Sequence, residues 1–201
     1  MITYTKKVQS GRSMIEMLGV LAIVGILSAG GIAGYSMAMQ SYKVSALTEK
    51  VNLIAQQARI LYEGGQYDEA DMDKELVRSG MLNADISGNA AGQQIANPFG
   101  GYLEVKSTGS TSSPATEFLV ATNLGNIPSE ACIKLLTTDW GTTGVFTSVA
   151  ADSAKFANAA AVTTAAATKG GTSAAKTSPV PSETAVSYCS GGNKFMGWVF
   201  K

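Results

Sequence analysis

The chain has 201 residues, with 15 basic and 15 acidic side chains and a formal net charge of zero. That balance gives no global electrostatic footprint for nucleic acid or anionic lipid and leaves only a local basic patch open. Histidine is absent, which removes the commonest general base and the commonest zinc or iron ligand. With no Walker or dinucleotide glycine motif either, neither a catalytic role nor a cofactor is expected.

The first element is an apolar run from Met14 to Ala33, with a single carboxylate, Glu16, near its start. About 20 apolar residues span the hydrocarbon of a bilayer as a helix, so this run is of membrane length. An acid there is costly, about 2.5–3.5 kcal/mol for Asp at a helix centre and less near an end, and it therefore suggests a partner. The plain alternative is that Glu16 reaches interfacial water.

The surroundings of Glu16 carry more. Lys6 and Lys7, then Gly11, then Glu16 five residues later and an unbroken apolar helix resemble the class III signal of type IV prepilins. The resemblance implies that a prepilin peptidase cuts between Gly11 and Arg12, that the new amine of Arg12 is N-methylated, and that Glu16 pairs with the N-terminus of a neighbouring subunit during assembly. Phe or Met is usual in the family at the first mature position, and Arg12 departs from it. A secretory signal peptide cut near Ser28-Ala29-Gly30 is the competing account. Its apolar region would have to contain Glu16 and exceed the usual ~7–15 residues.

Lys6, Lys7 and Arg12 precede the span and the next basic residue is Lys43, so the positive-inside bias keeps the N-terminus cytoplasmic and exports the remainder. In an oxidising compartment the two cysteines, Cys132 and Cys189, are expected to pair, with free buried thiols as the alternative. Such a loop closure removes about 4 kcal/mol of unfolded-state freedom in the chain-entropy model. It also resembles the D-region of type IV pilins.

Glycines 19, 25, 30, 31 and 34 interrupt the apolar half without any proline. They fit either close helix packing or local melting on assembly, with Gly25, Gly30 and Gly31 as the permissive sites. Val44, Leu47, Val51, Ile54, Ala58 and Leu61 then recur at spacings of three and four, which continues the helix as a narrow apolar stripe, and Glu63-Gly64-Gly65 supplies a stop. A coiled coil would need more heptads.

Asp68, Glu69, Asp71, Asp73 and Glu75 overlap a short helix with Met72, Leu76 and Val77 on its apolar side and Gly80 near its end. The cluster lacks the glycine and terminal ligand of an EF-hand loop, so a solvated face is favoured over a calcium site. Residues Asn97 to Gly101 read as a turn before a first strand at Tyr102–Lys106, and a second strand follows at Glu117–Thr122. Ser129 is the expected N-cap of a helix carrying Cys132, and Val145–Val149 is another strand candidate. Ala150 to Ser178 reads as an exposed loop or a marginal helix. Two strand-like runs close the chain, Ala185–Cys189 and Phe195–Phe200, the latter apolar enough to sit centrally.

These readings give an α+β protein, a long N-terminal α-helix packed on an antiparallel β-sheet head with a C-terminal disulfide loop. The expected layout is a leader at 1–11, a transmembrane or filament-core half-helix at 12–34, an amphipathic half at 35–63 and a head at 64–201 that contains the disulfide-bounded region 132–189. The resemblance implies a structural subunit of a type IVb-like pilus. It would be a single-pass inner-membrane protein before assembly and a homo-oligomeric cell-surface filament afterwards. Its implied partners are the prepilin peptidase and the inner-membrane assembly machinery. Two alternatives stay open, a pseudopilin of a type II secretion system and a minor pilin that acts as a binding module.

Overall fold

The computed structural model describes residues 13–62, 67, 72–82, 95–107, 115–123, 127–141, 144–150, 173–177, 179–190 and 195–201. It divides into two compact units, Met1–Gln40 and Ser41–Lys201. Helix α1 (Met14–Leu61, 48 residues) begins in the first and ends in the second.

In the first unit every described residue from 13 to 39 is exposed, including Ile15, Leu18, Leu21 and Ile26. The helix runs through all five glycines, and a Cβ added at any of them would meet nothing within 4 Å. Packing inside this chain therefore does not require glycine at these positions.

The second unit is organised by the stripe that the spacing predicts. Val44, Leu47, Val51, Ile54 and Ala58 are buried, together with Ala55, while Leu61 packs at the margin of the core. Their core partners come from one face of a sheet whose strands, among the described residues, are ordered β1-β2-β3-β6-β4-β5. The strands are β1 (Ile95–Ala96), β2 (Tyr102–Ser107), β3 (Phe118–Asn123), β4 (Gly144–Ala150), β5 (Ser173–Thr177) and β6 (Phe195–Phe200), and all neighbours are antiparallel. The register places Val105 opposite Val120 and Val120 opposite Trp198, so these side chains share one face. Phe118 and Phe200 stack on that face at 5.6 Å, and Trp140 tilts against Trp198 at 5.4 Å. Leu119, Ala121 and Val199 are buried on the opposite face, so β3 and β6 are covered on both sides.

Helix α2 (Met72–Arg78) buries Met72, Leu76 and Val77 and packs on β2. Gly80 follows it at φ 68, the left-handed conformation that ends many helices. Helices α3 (Ser129–Thr137) and α4 (Ser182–Ser190) pack together and are joined by the Cys132–Cys189 disulfide, with Cα atoms 5.9 Å apart.

Several expectations need correction. Ala185–Cys189 is not a strand but the body of α4; a five-residue alternation cannot separate strand from helix, and the Ala185 amide donating to the Pro181 carbonyl at 3.0 Å begins the helix instead. Ser129 is not an N-cap. Pro128 takes that position in extended geometry with no side-chain cap bond, and Ser129 is the first helical residue. Within the segment read as loop or marginal helix, residues 173–177 form β5, an edge strand held to β4 by backbone pairing with no apolar alternation in its sequence. The strand at Tyr102 is preceded by β1, so the Asn97–Gly101 turn closes a hairpin. The stop at 63–65, the acids Asp68, Glu69 and Asp71, and 151–172 lie outside the described residues.

The buried and exposed faces of α1 should respond differently to truncation. Leu47→Ala should lower the free energy of unfolding by about 2–5 kcal/mol, read by denaturant titration. The same change at the 43% exposed Leu53 should cost about 0.5 kcal/mol or less.

Candidate functional site

Glu16 is the third residue of α1, in its first turn. Its amide donates to the Ser13 carbonyl at 2.9 Å, which places Ser13 at the helix entrance. An acid there is favoured by the helix macrodipole, and Ser13-x-x-Glu16 has the spacing of a capping box. This local role was legible as a serine three residues before a glutamate, but a reading centred on the membrane passes over it. Gly11 and Arg12, the proposed cleavage and methylation positions, lie outside the described residues. Gly25, Gly30 and Gly31 lie within continuous helix.

In the second unit α1 presents two distinct faces. Tyr42, Leu53 and Ile60 are exposed, and at 3.6 residues per turn they fall on the side away from Leu47, Val51 and Ile54. The helix thus carries large apolar side chains where its own core cannot cover them. Beside this row lies a groove of about 710 Å³ between α1 and α3, lined by Ser45, Glu49, Asn52 and Leu53 on one wall and by Lys134 and Thr138 on the other. Neither Glu49 nor Lys134 was singled out in the sequence, because only the packing of α3 brings them together.

Polar contacts hold α1 to the sheet. Lys50 Nζ donates to the Ala96 carbonyl at 2.9 Å, and Lys43 Nζ lies 5.8 Å from the Phe99 ring centroid. The turn that bears Phe99 is fixed from within: the Asn97 side chain accepts from the Phe99 amide at 2.9 Å and donates to Thr122 Oγ1 at 2.6 Å. Gly101 in this turn has φ 111, a conformation other residues rarely adopt. At the far end of α1, Arg59 Nε donates to the Lys201 carbonyl at 2.6 Å and the guanidinium lies 6.0 Å from the Phe200 ring centroid. Among the described residues no cluster of metal-ligating side chains occurs.

The chain pairs a membrane-length apolar helix bearing one acid with a disulfide-closed α+β head, the arrangement the prepilin resemblance implies. A family profile described as PilS N terminal matches residues 41–199, well over half of the chain. The chain is also 28% identical over 137 residues to the major structural subunit of bundle-forming pilus from Escherichia coli O127:H6, covering 68% of each chain. The corresponding subunit from E. coli O111:H- matches to the same extent. The crystal structure of TcpA, a type IV pilin from Vibrio cholerae El Tor biotype, superposes over 80% of this chain and 99% of that one, with TM-score 0.49 and 16% identity. On the extent of the profile match, the chain belongs to the PilS N-terminal family.

Tyr67 provides a pH test of the corner beside Arg59. Burial pushes its phenol above the ordinary tyrosine range, partly offset by the nearby Arg59 charge. The fold therefore favours the neutral phenol, a contribution fully present below the unfolded value of about 10 and lost as pH rises through the higher folded value. Urea midpoints should fall as pH rises from about 10 through that folded value, and Tyr67→Phe should reduce the fall without abolishing it, since burial raises Tyr188 as well.

Proposed function

We propose that the chain is a structural subunit of a type IVb-like pilus, polymerising through α1 into a cell-surface filament. The observation that carries this reading is the fully exposed apolar stretch of α1 with Glu16 in its first turn. Exposed apolar area of this extent needs lipid or protein around it, and a membrane can hold the monomer until copies of the helix replace the lipid. The relatives named as major structural subunits of bundle-forming pilus support a filament.

In this account residues 1–11 are a leader removed by a prepilin peptidase between Gly11 and Arg12, and the N-terminus of Arg12 becomes the methylated amine. Residues 12–34 anchor the monomer in the inner membrane and later line the filament core, 35–63 form the amphipathic half, and 64–201 form the head. Glu16 of one subunit meets the Arg12 amine of its neighbour. In the low dielectric of packed helices this pairing gains strength and an unpaired acid is penalised, so the same residue selects register as well as adding affinity. Gly25, Gly30 and Gly31 let the helix stretch or unwind as copies pack, at a small cost because each disfavours helix by up to about 1 kcal/mol. The assembly machinery of the inner membrane supplies the work of extraction.

Glu16→Gln isolates the charge, because Gln at the third helical position preserves the capping pattern. Membrane-bound monomer should persist while sheared filament falls by about tenfold or more, measured by electron microscopy and immunoblotting of cell and shear fractions. Filaments at normal yield would remove the proposed role of Glu16. Mass analysis of the mature N-terminus should find Arg12 first; a start after Gly30 would instead make the segment a secretory signal.

A further inference from the structure

We infer that the groove between α1 and α3 is the seat for helix α2 of a second copy of this chain, with Lys134 facing Glu75 of the second copy and Glu49 facing its Arg78. The inference rests on the pilus reading and names the head surfaces that meet.

Three observations lead to it. The groove carries one acid and one base on opposite walls: Glu49 and Lys134 are both exposed, and neither has an ion pair among the described residues. A groove so lined is dipolar, and it selects a ridge with the opposite arrangement of charge. Helix α2 is such a ridge. Its apolar side is spent on the core through Met72, Leu76 and Val77, while Glu75 and Arg78 stand outward as an i,i+3 pair at 2.7 Å, with side chains 40% and 65% exposed.

The third observation concerns symmetry. An open helical polymer needs two different, complementary patches on each subunit, because a self-complementary patch closes a dimer. The ridge and the groove belong to different parts of the head, since α2 packs on β2 whereas α3 packs on α4. Once docked, the four side chains alternate in sign. Glu75 and Arg78 each gain a second opposite neighbour, and Glu49 and Lys134 a first, at little desolvation cost, and the register is fixed because a shift sets like charges together.

The test uses filaments assembled from mixed isotopically light and heavy chains, treated with a zero-length carbodiimide crosslinker and analysed by mass spectrometry. A Glu75–Lys134 crosslink joining light and heavy chains is expected. In parallel, Lys134→Glu and Glu75→Lys should each reduce filament yield by about tenfold, and the double variant should restore it to within about twofold of wild type, with membrane-bound monomer unchanged throughout. Inter-chain crosslinks elsewhere on the head but none between these residues would overturn the inference, as would a double variant no better than the single ones. If a single variant loses its monomer, the wild-type crosslink decides alone. Wild-type cells without filaments would instead refute the pilus reading itself, and this inference with it.

Discussion

Burying one stripe of α1 is the interaction on which the head depends. Val44, Leu47, Val51, Ile54 and Ala58 lie against the sheet face formed by Leu103, Val105, Val120, Trp198 and Phe200, and the same core receives α2 and α3. An amphipathic helix of this kind holds its conformation through packing far more than through intrinsic propensity. The core therefore supports α1 only from Val44 onward. Over residues 14–34 the sequence has no polar face to turn to solvent and no buried face to anchor it. A chain built this way is complete only in company, either lipid or copies of itself.

Electrostatics follow the same division. In the head, charges are used locally: Lys50 secures β1, Arg59 secures the end of β6, and Arg78 pairs with Glu75 on α2. Pairs as exposed as these add little stability, and their value lies in orientation. The apolar stretch has a single acid, placed where the helix dipole tolerates it.

The parts legible in sequence were those with a period or a signature. The α1 stripe shows as alternating steps of three and four, β2 and β3 as short apolar runs bounded by turns, and β6 as a nearly continuous apolar segment that belongs in a sheet centre. The pairing of Cys132 with Cys189 followed from export and from there being only two cysteines. What stayed hidden depended on contacts distant in sequence. β5 is drawn into the sheet by backbone pairing with β4, and α4 is helical because its disulfide and Ala185 seat it against α3. Two-residue β1 has no sequence signal of its own and exists because Asn97 and Gly101 fold the chain back. The groove was invisible for the same reason, since its walls are 85 positions apart when counted from Glu49 to Lys134 (134 − 49).

The place of β6 has a consequence for how the head is made. Residues 195–200 are inserted between β3 and β4, strands translated well before them. Until they are available, β3 and β4 each present a bare hydrogen-bonding edge, and Trp140 has no Trp198 to pack against. Closing the sheet must then wait for the end of the chain, and the waiting chain is open to edge-to-edge pairing with other half-made heads. In the membrane-anchored monomer proposed above, the apolar helix of each chain would space these intermediates apart. The device that later unites the subunits would first serve to keep them separate.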